Sequence, residues 1–152
     1  MNTQSYLLQY HRLKSWLAED RNALERLKAS MTDTAAPAVS ADPVQVSPRA
    51  EASYVRILEK IEYLSAKIRL EEDLLWDLKA QMLQVFDMLS PQKNDLMIAR
   101  YISGMKWEDI FKEKHLTKPT ALRWHREILA EIVLPRDAVN IDLELEKLKK
   151  VS

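Results

Sequence analysis

Glycine occurs once in this chain of 152 residues, at Gly104. Compact α/β and all-β folds close many tight turns on glycine, whose missing Cβ admits positive φ. A chain with one glycine and many Leu, Lys, Glu and Ala residues is therefore expected to be all-α. Hydrophobic residues make up 47% of it, enough for a core. The length suits one medium domain, or a small domain joined to an extended helical part.

Two stretches carry apolar residues at alternating four-three spacing, which sets a stripe along one side of a helix. In residues 1–31 the stripe is Tyr6, Tyr10, Leu13, Leu17, Leu24, Leu27 and Met31, with Asp20 at the one polar position. In residues 51–89 it is Tyr54, Ile57, Ile61, Leu64, Ile68, Leu75, Leu78, Met82, Val85 and Leu89, interrupted once by Glu71. Leu58, Leu70, Leu74, Trp76, Leu83 and Phe86 broaden the second stripe, which predicts contact with more than one neighbour. Residues 32–50 between them hold three prolines and many small side chains, and read as a flexible, partly extended linker.

The stripe can be buried in two ways. The first helix can fold back on the second as a hairpin within the chain. Alternatively, the second helix can pair between chains through a seam of Ile57, Ile61, Leu64, Ile68, Leu75, Leu78, Met82 and Val85, giving a homo-oligomer. In an antiparallel arrangement with Met31 near Tyr54, Lys14 falls roughly opposite Glu71 and gives that polar seam residue a cationic neighbour. The run Glu71-Glu72-Asp73 reads as a solvated helix face, and Trp76 as a residue that covers the seam or faces a partner.

Several function classes drop out. There is no cysteine, so disulfide frameworks and thiolate metal sites are excluded. His11, His115 and His125 are too scattered for a metal cluster by spacing. No apolar run approaches the roughly 20 residues of a membrane span, and the first residues lack a signal pattern, so an intracellular soluble protein without membrane contact is expected. No nucleophile–base pair, phosphate-cradling glycine loop or metal signature is present, and neither enzyme activity nor a cofactor is expected. Formal net charge is zero, yet its sign reverses along the chain. Residues 51–89 hold five basic and eight acidic side chains, whereas residues 90–136 hold nine basic and six acidic.

The basic segment, residues 90–135, has the punctuation of three helices. Ser90-Pro91 is a start signal, hydroxyl N-cap followed by proline at the first helical position, for a helix to about Ser103. Gly104 then stands where a helix ends in the left-handed conformation. A short helix follows from Trp107 to Lys114, with Glu108 and Asp109 in its first turn and Ile110 and Phe111 on its buried side. After His115-Leu116, Thr117 caps a third helix that reaches about Val133, with Pro119 in its first turn. Ala121, Trp124, Ile128 and Ile132 share one face of it, and Lys118, Thr120, Arg123 and Arg126 point elsewhere. Trp107 and Trp124 fall at core spacing, and His115 and His125 read as exposed.

A short helix, a three-residue turn and a longer basic helix are the parts of a helix-turn-helix, whose second helix enters the major groove of double-stranded DNA. Arg123 offers a two-donor fork suited to guanine O6 and N7. Thr120 is small enough for close approach, and Lys118 suits phosphate or base. Arg126, Lys112, Lys114 and Lys106 suit phosphates, which set affinity and register. The segment after Pro135, residues 136–152, reads as a tail. Val139, Ile141, Leu143 and Leu145 alternate as in a strand, while Leu-Glu-Leu-Glu-Lys-Leu-Lys-Lys supports a short charged helix, the reading preferred here.

The run Arg100-Tyr101-Ile102-Ser103-Gly104-Met105-Lys106-Trp107-Glu108-Asp109-Ile110, followed by Leu116-Thr117-Lys118-Pro119-Thr120-Ala121-Leu122-Arg123-Trp124-His125-Arg126, resembles region 4 of sigma-70-type factors. In layout the chain is similar to small phage-encoded transcriptional activators of the RinA and ArpU type. That resemblance implies a sigma-like helix-turn-helix behind a helical hairpin or coiled coil. It also implies late-gene transcription in phage or prophage, a bacterial cytoplasmic location, and host RNA polymerase as a further partner. It places Lys118, Thr120, Leu122 and Arg123 on the DNA-facing side. Leu122 and Pro119 stand where the family often has polar residues, and Lys106 where it often has a Thr or Ser cap. Two other readings of the same parts are a DNA-recognition subunit of a phage packaging machine, which assembles as a ring, and a structural coiled-coil adaptor with no DNA role.

Overall fold

The computed structural model describes residues 1–35 and 48–151, and all regular structure in it is helical. The elements are α1 (Thr3–Ala35), α2 (Pro48–Asp87), α3 (Pro91–Met97), a π-helical turn (Ile98–Ile102), α4 (Trp107–Lys114), α5 (Lys118–Glu131) and α6 (Ile141–Val151). No helix among the described residues is long and apolar enough to cross a membrane. The first two helices extend past their expected ends into the stretch read as a linker. The rest of that stretch, residues 36–47, lies outside the described residues.

The four-three stripes meet each other. Tyr6 on α1 reaches Gln81 on α2, and Asp20 on α1 reaches Lys67, so the two helices run antiparallel. Tyr6, Leu7, Tyr10 and Leu13 pack with Leu74, Leu78, Met82 and Phe86 in one buried core. Burial thins toward the other end, where Leu24, Leu27, Met31, Ile57, Ile61 and Leu64 are all half-buried. Two helices alone can cover one stripe each, whereas at the deep end α3, the π turn and α6 also pack on the pair.

The two polar breaks in the stripes fall together. Glu71 is fully buried, and Asp20 stands across from it with its Oδ2 at 3.0 Å from Lys67 Nζ. Neither carboxylate oxygen of Glu71 has a hydrogen-bond partner in the geometry shown. Burial, and then the adjoining Asp20, push the Glu71 carboxyl up to about 8. Glu71 is thus no part of a solvated face, although Glu72 and Asp73 are exposed. The expected neighbour Lys14 is absent from this cluster; its ammonium lies 5.5 Å from the Tyr10 ring. Lys67, one turn before Glu71 on the same helix, supplies the cation.

Residues 135–151 are held by two glutamines that periodicity did not single out. Buried Gln9 donates to the carbonyls of Val139 (2.8 Å) and Tyr6 (3.1 Å) and accepts from Ile141 N–H (2.9 Å). Gln81 accepts from Val139 N–H (2.9 Å) and donates to the Asp137 carbonyl (3.1 Å). These bonds satisfy backbone groups that would otherwise be buried without partners. They seat α6 on the long helices through Ile141 and Leu145, both buried, with Arg12 pairing to Asp142 at 3.2 Å. The segment expected as a tail is therefore part of the core.

Candidate nucleic-acid interface

α3 does not run to Ser103 as a regular helix. Ser103 N–H bonds to the Ile98 carbonyl, five residues back, and this widened turn places Ala99 and Tyr101 in the core. The expected hydroxyl cap is absent, because the Ser90 side chain makes no cap bond; separately, Asn94 donates to the Phe86 carbonyl at the end of α2 at 2.9 Å. Pro91 occupies the first turn as its fixed φ favours.

Gly104 ends the π turn at φ +72°, and Met105 N–H closes the end on the Ala99 carbonyl at 3.0 Å. The His11 ring from α1 fills the space where a side chain would stand. A Cβ at position 104 would lie 2.7 Å from His11 Cε1. Burial, with Lys14 and Arg100 nearby, holds the His11 imidazole below its usual value. The glycine thus serves both the turn and the contact of this segment with α1.

α4 begins at Lys106 with extended backbone and no side-chain cap, and ends at His115, which takes the left-handed conformation at φ 54°. Leu116 N–H returns to the Phe111 carbonyl, and Thr117 opens α5. The Thr117 hydroxyl accepts from Thr120 N–H at 3.4 Å and donates to Thr120 Oγ1 at 2.8 Å. Thr120 therefore keeps its own hydroxyl proton free to donate outward.

At about 100° per residue, Lys118, Leu122, Arg126, Pro119, Arg123 and Glu127 sweep one half of α5. Of these only Leu122 is half-buried, and the rest are exposed. The opposite half holds Ala121 and Ile128, both fully buried, with Trp124 and His125 half-buried. His125 is not exposed as expected. Its Nε2 meets the Tyr101 hydroxyl at 2.6 Å, its ring stacks on Tyr101, and Trp107 meets it edge-on at a centroid distance of 5.1 Å. Burial, then Arg100, lowers its basicity, so the neutral ring suits this contact. Arg100 itself lies over Trp107 at 4.9 Å and donates to the Met105 carbonyl at 3.0 Å. This aromatic group fixes the angle between α4 and α5, and no sequence spacing announced it.

The basic residues distribute as follows. Lys118, Arg123 and Arg126 share the open half of α5, and Lys112 is exposed in the last turn of α4 beside the turn into α5. Arg123 lies 3.9 Å from Glu127, too far for a hydrogen bond, so its guanidinium is not held by the chain. Lys114 is half-buried beside a cleft lined by Gln92, Asp95, Leu116 and Trp124, which draws it away from the open face. Lys106 is exposed at the start of α4. The seam residues Ile68, Leu78 and Met82 are buried in this chain, and Ile57, Ile61, Leu64, Leu75 and Val85 are half-buried. Comparison with protein families, with curated proteins and with solved structures finds no match to the chain.

Proposed function

We propose that α4, the His115–Thr117 turn and α5 form a helix-turn-helix that binds double-stranded DNA, with α5 in the major groove. The observation that carries this reading is the division of α5. One half is locked into the core and the aromatic group, and the other presents Lys118, Arg123 and Arg126 to solvent from a capped N-terminus. A rigid helix with an open basic half is what base readout requires, since misplacement of the forks by a rotamer or a turn would lose the contacts. Arg123 and Lys118, with Thr120, face base edges. Arg126, Lys112 and Lys106 meet phosphates, and Lys114 contributes less than its charge suggests. The resemblance to region 4 of sigma-70-type factors supports the narrower reading, a regulator of phage or prophage transcription that acts as an oligomer and meets host RNA polymerase.

Arg123→Ala is expected to weaken binding to the preferred site by about 1–3 kcal/mol and to relax preference at one base pair. Lys112→Ala is expected to weaken binding to all sequences alike and to lower the salt slope by about one. Fluorescence anisotropy with specific and scrambled duplexes over a salt series checks both. Equal loss of specificity in the two variants would contradict the assigned roles.

A further inference from the structure

Three large apolar side chains stand in solvent around one groove: Trp76 at 78% exposure, Met88 at 86% and Val133 at 85%. The groove runs between the second half of α2 and the segment that follows α5. It holds about 830 Å³, with Ala80 and Val85 in its lining and Leu134 and Pro135 along the far wall. Three large apolar side chains gathered around one groove, rather than scattered singly, point to an interaction surface. It borders the four-three stripe at Val85, while the stripe's Leu78 and Met82 are buried against α1.

We infer that this groove is a two-fold interface with a second copy of the chain. A two-fold contact needs one patch that carries both the projecting groups and the space that receives them. Trp76 projects at one end and Met88 with Val133 at the other, while the open volume and small Ala80 lie between. Related by a two-fold axis, the Trp76 of each copy enters the groove of its partner. The charges along it also admit reciprocal pairing. Arg136 lines the groove with Asp77 and Asp137, and among the described residues neither Arg136 nor Asp77 makes an ion pair, so each copy offers both halves of a reciprocal pair. With zero formal net charge the copies do not repel at long range. The interface starts two residues past the end of α5, so pairing would also set the distance between two copies of that helix. The dimer itself does not depend on the DNA reading.

Sedimentation equilibrium of the full chain, from low to high micromolar, tests this with Trp76→Glu, Arg136→Asp, the charge swap Arg136→Asp/Asp77→Arg, and Val55→Glu as an exposed apolar control elsewhere on α2. The wild type is expected at twice the 17.7 kDa chain mass. Trp76→Glu is expected to raise the dimer dissociation constant by about tenfold or more, with helix content and Tm unchanged because the side chain lies outside the core. Arg136→Asp weakens the dimer, the swap restores it, and Val55→Glu leaves it intact. A wild type that stays at the single-chain mass, a dimer undiminished in Trp76→Glu, or a swap that fails to restore association would each overturn the inference. Single-site DNA binding by the Trp76→Glu chain is read separately, so loss of the dimer is not confused with loss of the DNA face.

Discussion

Gly104→Ala is expected to lower the stability of the chain by about 2–5 kcal/mol. Two independent costs combine. A residue with a Cβ pays about 1–2 kcal/mol to hold the left-handed conformation found at φ +72°. Its methyl would also stand 2.7 Å from His11 Cε1, well inside van der Waals contact. The ring is packed between α1 and the π turn, so relief of the clash needs one of them to shift, an overpacking cost of about 1–3 kcal/mol. A denaturation cycle separates the two. In a His11→Ala background the steric part disappears, and Gly104→Ala should then cost only the backbone part, about 1–2 kcal/mol. An equal cost in both backgrounds would show that His11 does not occupy the space in solution.

Glu71→Gln is expected to act in the opposite direction and to stabilise the chain at neutral pH. The folded chain raises the Glu71 carboxyl from 4.5 to about 8, chiefly because burial penalises its charged form and Asp20 stands beside it. Lys67 and Arg21 oppose that shift without cancelling it. Between those two values the folded chain holds a proton that the unfolded chain has released. Stability conferred by this group is therefore complete below about pH 4.5, falls as pH rises, and levels off above about pH 8. Glutamine keeps the shape of the side chain and cannot ionise. With coupling to Lys67 absorbing part of the effect, the variant should gain about 1–3 kcal/mol over wild type at pH 8 and nothing at pH 4. Thermal or urea unfolding of both chains across this range checks it. Parallel pH profiles would mean that Glu71 ionises freely in the folded state.

Both residues were visible in the sequence as exceptions, and the physics of each exception needed the fold. A lone glycine in a helical chain marks a helix end, but nothing local says that a histidine some ninety positions earlier fills the space beside it. Asp20 and Glu71 each break a stripe, and a polar break in a buried seam must be answered by another polar group. The register first drawn placed Lys14 opposite Glu71. In the fold Asp20 instead stands opposite Lys67, one turn before Glu71, and Lys67 is the cation beside both breaks.

The segment from Ser90 to Ile132 was legible where local rules apply. Pro91, Gly104, Thr117 and Pro119 sit at helix starts and ends, and the turn at His115 follows from the cap between two short periodic runs. Ser90 shows the limit of such rules, because its side chain makes no cap bond although it stands at the cap position. The π turn was not legible, since one extra residue in a helical turn leaves the apolar spacing almost unchanged. Nor was the contact of Tyr101, Trp107 and His125, which joins three elements through tertiary packing alone. Gln9 and Gln81 look like ordinary polar positions until the chain after Pro135 returns to meet them.

Titration of isotope-labelled chain with duplex DNA, followed by backbone amide shifts, tests the central claim most directly. The expected result is a set of shifts at Thr117–Arg126 and in the last turn of α4, saturating at low salt and lost at high salt as phosphate contacts are screened. Shifts centred elsewhere, or no salt-sensitive shifts at all, would contradict α5 as the DNA-reading helix.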